Sequence, residues 1–419
     1  MESSVPSGSI RMRRRPGNGA CLLLFIVLVF QLSILPDTLG IKPLGRVFNA
    51  LALAAFLGLA VIAFARGHMG RVAGLYVVPV LLVVVGISIN VARNLSVESL
   101  GAASALLPWL AALSVPFMRS LDTEQAWRIF YRFMLAASIV SALEYAAVFG
   151  GLFTPGAVHT DRGDFLKGVI SLFYGLDDGS IHYRMYGIFA EPGTYAMYLL
   201  PAIAYAFVYR KWWALPVFIG CFYLTDSLGG YLSLVVLVVS YLFWRSRRRS
   251  VGLLVVAVVA FVGAYTLLGN FSGQYEQKQA SRIVREENVT LFRDNFANII
   301  LSSPFGLPLT GKSMSELANV NINYIGSNFE IYTVFVRGGI LALLGYTIFL
   351  VWVAWRSVRF LFSGHRDRTL VCALVTLPAL LLFVAQRETI FASALFAFLY
   401  AQPLLRRREC GTMSARGSP

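Results

Sequence analysis

Long apolar runs separated by short polar joints make up most of this chain. Twelve runs have the length of a membrane span, at roughly 20–37, 46–65, 72–90, 97–118, 133–153, 186–208, 212–226, 228–244, 251–269, 327–354, 370–386 and 388–405. A bilayer-spanning helix needs about 20 apolar residues. The pattern therefore predicts an all-α, polytopic integral membrane protein with about 12 transmembrane helices. Residues 212–244 form one run broken at Thr225-Asp226-Ser227-Leu228-Gly229-Gly230. That run exceeds what one tilted helix needs, and its break is polar and glycine-rich, so two short helices fit it better. Two joints are long, 154–185 and 270–326. In the second, Ile283, Val284, Leu291, Phe292, Phe296, Ile299 and Ile300 recur at near-helical spacing among charges. This predicts an amphipathic helix on the membrane surface. The chain divides into a basic tail 1–19, a single transmembrane domain 20–405 and a basic tail 406–419.

Composition agrees: 57% of residues are hydrophobic and 14% charged, against about 25% charged in soluble domains. The net charge of +15 would fit a nucleic-acid partner, but its distribution points elsewhere. With the N-terminus in the cytoplasm, 23 of the 36 basic residues fall in cytoplasmic joints and tails, among them Arg11, Arg66, Arg119, Arg210, the Arg245–Arg249 cluster, Arg356 and Arg406. The long joint 270–325 holds five basic and five acidic residues. This asymmetry is the positive-inside rule, and it puts both termini inside without invoking nucleic acid. The four cysteines, Cys21, Cys221, Cys372 and Cys410, avoid the long loops, so no disulfide framework or zinc spacing is indicated. The basic start resembles a signal peptide. No clear small-x-small cleavage site follows Leu35, so an uncleaved first helix is expected.

Charges inside or at the edge of apolar runs are costly and are functional candidates. The foremost stretch is His182–Pro201, where Arg184-Met-Tyr-Gly187-Ile-Phe-Ala-Glu191-Pro192 leads from a polar loop into an unbroken apolar helix. Arg184 either snorkels at the interface or contacts an anionic group. Glu191 either marks a helix start or serves as a base or orienting carboxylate. Glu330 and Arg337 lie two helical turns apart on one face. Glu144 sits near the middle of its span, and Glu144 or Glu330 pairing with Arg337 would lock helices together. Arg387 lies at an outer hinge. Arg282, Arg285 and Arg293 on the amphipathic segment form either a solvated, lipid-facing set or a clamp for a diphosphate, which guanidinium binds bidentately. His159 and His182 are isolated and make no metal site. Gly306-Leu-Pro-Leu-Thr-Gly311-Lys312-Ser313 matches the phosphate-loop spacing of nucleotide hydrolases. It has no βαβ setting, and it is read as a turn-rich part of the outer loop.

Arg184, Gly187, Phe189, Glu191 and Pro192 together read R-x-x-G-x-F-x-E-P, which resembles the signature of bacterial O-antigen and exopolysaccharide polymerases. These belong to the polymerase/ligase superfamily of membrane glycosyltransferases. Thr225-Asp226-Ser227-Leu-Gly-Gly resembles that superfamily's break between two short spans, with Leu228 where arginine is common. Pro304-Phe-Gly306-Leu-Pro resembles its P-x-G-x-G turn, and Asn328-Phe-Glu-Ile-Tyr with Arg337-Gly-Gly-Ile resembles the helix that follows. The resemblance runs in order from Arg184 to Ile340; the first 150 residues share only apolar spans.

The resemblance implies a GT-C type fold in the bacterial inner membrane, with periplasmic loops 154–185 and 270–326 over the site. It implies a substrate of undecaprenyl-diphosphate-linked oligosaccharide and transfer without metal or other cofactor. Glu191, Arg184 and Arg337 would be catalytic. Arg282, Arg285, Arg293, Arg387 and His182 would bind substrate. Membrane lipids and the pathway's chain-length regulator and flippase are the implied partners, and no nucleic acid is. A ligase of the same superfamily, moving finished glycan to another acceptor, is the nearest alternative. A lipid-oligosaccharide flippase is the alternative from another class, which should carry repeat symmetry and charges through both leaflets. A structural assembly subunit is a further one.

Overall fold

The computed structural model describes residues 18–245, 290–307 and 330–405, apart from 66–70, 94–102, 119–120, 153, 155, 161–162, 175–183, 190, 291–296, 299, 362–366 and 386–389. The expected span 251–269 and most of the loop 270–326, with its amphipathic segment, lie outside these residues.

The first apolar run forms α1 (Asn18–Ile26), continued by a π-helical turn to Gln31. Then come α2 (Lys42–Ala65), α3 (Arg71–Arg93) and the short α4 (Leu107–Ser114), which has 3-10 turns on both sides. α5 (Thr123–Phe149) begins ten residues before the expected span, because the Asp122 side chain accepts the first free amides, from Glu124 and Gln125. Arg128, one of the 23 basic residues assigned to the cytoplasmic side, lies on this helix one turn from Glu124 and pairs with it at 3.2 Å.

The described residues are mostly helical, and after α5 they depart from the all-α expectation by one small sheet in and beside the expected loop 154–185. Gly156–Thr160, Gly163–Lys167, Leu172–Tyr174 and Arg184–Gly187 form strands β1 to β4 of an antiparallel meander. Strands of three to five residues are too short to leave a clear alternating pattern between polar joints, and sheet pairing supplies the missing backbone partners. The last strand also shortens the expected span 186–208: α6 starts at Pro192 and ends at Val208. The 212–244 run does break in two, into α7 (Leu215–Leu224) and α8 (Leu228–Arg245). Then follow α9 (Glu330–Leu361), α10 (Arg368–Leu381) and a composite end segment of 3-10, α and π turns over 390–405.

Among the described residues, four helices are long and apolar enough to cross a membrane: Pro43–Ala65, Gly74–Arg93, Thr123–Phe149 and Glu330–Arg359. Six shorter apolar helices accompany them. The last of the four is not straight. Gly339 breaks it with φ 66° and ψ −159°, a conformation open essentially to glycine alone. The Tyr346 hydroxyl donates to the Glu330 carboxylate. In a straight helix those residues would stand about 24 Å apart, far more than the two side chains can bridge. The chain therefore folds back at Gly339, leaving a spanning part, Ile340–Leu361, of about 33 Å.

This part packs antiparallel on α3 through small residues. A Cβ on Gly86 would sit 2.9 Å from the Ala342 amide nitrogen, and one on Gly345 would sit 2.4 Å from the Pro79 carbonyl. Such close backbone approach is how helices associate where apolar burial gives no advantage over lipid. Around it lies an aromatic core: Trp109 meets Tyr346 and Phe349 edge-on, and Tyr76 packs on Trp352 with its hydroxyl on the Ala112 carbonyl.

Candidate functional site

The foremost stretch takes its shape from β4 and α6. Gly187 ends β4 with φ 58°, and a Cβ there would fall 2.7 Å from the Tyr195 ring. Only glycine meets both demands. Tyr195 is itself fully buried, stacks on Phe189, and donates its hydroxyl to Ser138 of α5 at 3.0 Å. The loop between Gly187 and α6 is also tied to the chain's first segment, since the Ile188 carbonyl accepts from the Ile34 amide at 2.8 Å.

Arg184 lies on β4 and reaches the break between α7 and α8. Its Nε donates to the Thr225 carbonyl at 3.3 Å and its Nη2 to the Asp226 carbonyl at 3.0 Å. Those carbonyls sit where α7 ends. Asp226 takes a left-handed φ of 45°, which aspartate tolerates better than most residues. Bonds from a charged donor contribute about 1.5–3 kcal/mol each, so Arg184 fastens the two motifs together. On the other side of the break, Gly230 lies against Ala196 of α6; a Cβ there would come within 3.0 Å of the alanine's.

Glu191 stands at the N-cap of α6 with extended backbone (φ −149°, ψ 144°), and Pro192 opens the helix. Its carbonyl accepts the Tyr195 amide, but its side chain makes no capping bond. The carboxylate is partly buried at the position where caps normally bind, and it is not used as one. Arg184 thus opens the strand and Glu191 the helix on the two sides of one corner.

A second frame carries Arg337. The turn Pro304–Leu307 inserts at the fold in α9: the Leu307 amide donates to the Val336 carbonyl at 3.0 Å, and the Ile340 amide to the Pro304 carbonyl at 2.9 Å. A helix interrupted at Gly339 leaves backbone groups without partners on both sides, and the turn supplies two of them. Asn90 of α3 adds its side-chain amide, donating to the carbonyls of Leu307 and Arg337 at 3.0 Å and of Val336 at 3.3 Å. Arg337 itself is partly buried. Gly306 and Leu307, which open the phosphate-loop-like match, are occupied in packing on α9, in keeping with a turn rather than a nucleotide cradle.

Glu144 departs from its expected place. α5 ends at Phe149, so Glu144 lies in the last two turns rather than mid-span. Its two oxygens accept the Ile170 and Ser171 amides, each at 3.0 Å, which fastens the β2–β3 turn to α5. Its partner is this turn rather than Arg337. Glu330 is buried at 1% exposure and receives the Tyr346 hydroxyl. His182, Arg282, Arg285, Arg293 and Arg387 lie outside the described residues.

Comparison of the chain with protein-family models, with curated proteins and with solved structures returns no match. The site is therefore described by its own geometry: an arginine-clamped corner presenting a carboxylate, and a folded helix presenting a second arginine. The sequence reading missed Asn90 and Tyr195, which hold these two frames. Asn90 had a signal, as an amide within the apolar run 72–90, where an unpaired polar group costs several kcal/mol and so implies partners. Tyr195 had none, since aromatic residues are common in such runs.

Proposed function

We propose that this chain is a metal-independent membrane glycosyltransferase that joins undecaprenyl-diphosphate-linked oligosaccharide units into O-antigen or exopolysaccharide. It acts at the periplasmic face of the bacterial inner membrane, with about twelve spans and both termini in the cytoplasm. The observation that carries this reading is the Arg184 clamp. Two stretches that separately resemble the polymerase signature, about forty residues apart, meet through its guanidinium at 3.3 and 3.0 Å.

In the reaction, a hydroxyl at the end of one lipid-linked unit attacks the anomeric carbon of the glycan on a second lipid. The new glycosidic C–O bond forms as the bond from that carbon to the diphosphate oxygen breaks. Undecaprenyl diphosphate leaves, and the hydroxyl proton passes to a base. Glu191 is assigned that role, a carboxylate at the start of α6 where the signature meets the apolar helix. The leaving group carries the developing charge, so fixed guanidinium groups are what accelerate its departure. Arg337 is assigned to that charge together with Arg282, Arg285, Arg293 and Arg387. His182 is assigned to the sugar side. Arg184 sets the corner and supplies further positive charge.

The test is purified protein in liposomes with lipid-diphosphate repeat units, without nucleotide or metal. Growth of a ladder of longer glycans is expected. Cells lacking the chain should keep single units on the carrier. Full-length chains accumulating there would mark a ligase and overturn the polymerase reading.

A further inference from the structure

Asn90 is fully buried in the last turn of α3. A side-chain amide has two hydrogens, yet its nitrogen lies within bonding distance of three carbonyls, so one hydrogen is shared. The acceptors belong to two stretches far apart in sequence. Leu307 lies in the inserted turn; Val336 and Arg337 lie on the N-terminal side of the fold in α9. The Arg337 carbonyl is held directly, two residues before the glycine where the helix folds back. One turn further along α3, the Arg93 guanidinium sits 4.9 Å from the Phe305 ring centre and covers the same turn. α3 therefore grips both parts of the break at once.

We propose that Asn90 is the positioning residue for Arg337: by binding the Leu307, Val336 and Arg337 carbonyls together, it fixes the peptide that carries the arginine against the turn Pro304–Leu307. This rests on the reading of Arg337 as a group that binds the departing diphosphate. The three carbonyls that Asn90 binds are backbone groups of the turn and of the stretch that carries Arg337, so it acts through Arg337. A guanidinium beside a glycine fold would otherwise move with the fold, and misplacement by about 1 Å can cost about a hundredfold in rate.

The test uses the full-length protein in liposomes, fed undecaprenyl-diphosphate-linked oligosaccharide extracted from cells that lack the chain. Asn90→Ala and Asn90→Asp are compared alone and with Arg337→Ala. The first removes the donor, and the second sets a carboxylate against three carbonyls. Chain growth should fall about ten- to a hundredfold in either single Asn90 variant. In the Arg337→Ala background the same change should cost nothing further, because both act through one group. Hydrogen exchange at the Leu307 and Ile340 amides should quicken in the Asn90 variants and not in Arg337→Ala. Should Asn90→Asp fail to fold, Asn90→Ala decides. Losses that multiply in the double variant would overturn the proposal, as would unchanged chain growth beside quickened exchange. Should Arg337→Ala grow chains at the wild-type rate, the positioning role falls while the polymerase reading stands. A wild-type protein that grows no chain overturns both.

Discussion

The corner at Arg184 and the fold at Gly339 solve the same problem with different parts. Each turns the chain on a glycine with positive φ, Gly187 where β4 gives way to α6 and Gly339 within α9, and each has an arginine nearby. At the corner the candidate arginine itself holds the broken end, through the Thr225 and Asp226 carbonyls. At the fold that work falls to a neutral amide, Asn90, and to the inserted turn. Arg184 therefore joins scaffold and candidate chemistry in one side chain, whereas Arg337 has the scaffold provided for it. Loss of activity on replacing Arg184 says little about chemistry by itself. The same loss on replacing Arg337 says more.

The largest effect should come from closing the fold to a side chain. In Gly339→Ala the new Cβ would meet the Pro304 carbonyl at 2.3 Å and Phe305 backbone atoms at 2.5 and 2.6 Å, at a φ that alanine avoids. Backbone cannot yield as a flexible side chain can, so a loss above about 4 kcal/mol is expected, with the strain of the dihedral included. Folded protein recovered in detergent and its melting temperature measure this. A variant that melts like the parent would mean that the turn is not seated in the break.

Next in size is the contrast between the two arginines. Arg184→Lys keeps the charge but loses the forked geometry that spans two carbonyls. It should lower stability by about 2–3 kcal/mol and chain growth with it. Arg337→Lys should leave the melting temperature within a few degrees while chain growth falls by about tenfold or more. Equal melting losses in the two variants would erase the distinction between the frames. Glu191→Gln sharpens it further. The change keeps the shape of the side chain and removes its charge, and chain growth should fall by about a hundredfold or more if the carboxylate takes the proton.

The sequence carried the helical class and the break at 225–227, because long apolar runs and a polar, glycine-rich gap are strong local signals. It also carried Arg184 and Glu191, since a charge beside an apolar helix has no cheap resting place. It did not carry the sheet, whose strands show their register only against one another. The fold at Gly339 was also hidden, for Gly338-Gly339 in a membrane run reads equally as close helix packing. Glu144 was misplaced because its helix starts at a cap on Asp122, ten residues ahead of the apolar signal, and ends at Phe149, before the apolar signal does. Asn90 could be noticed but not assigned, because its partners lie more than 200 residues away.

The smallest change tests how rigid the Arg184 corner is. Tyr195→Phe keeps the ring that fills the space beneath Gly187 and removes only the hydroxyl bonded to Ser138. One buried hydrogen bond is worth about 1 kcal/mol, and the Ser138 hydroxyl left behind adds a desolvation cost. The ring fixes the corner, so stability should fall by about 1–2 kcal/mol while chain growth per folded molecule stays near the parent's. Tyr195→Leu, which removes the ring, should impair both. If the phenylalanine variant instead lost activity at normal stability, the hydroxyl would be acting on the corner directly. The corner would then depend on a neutral polar group as the Gly339 fold depends on Asn90, and the two frames would be more alike than their arginines suggest.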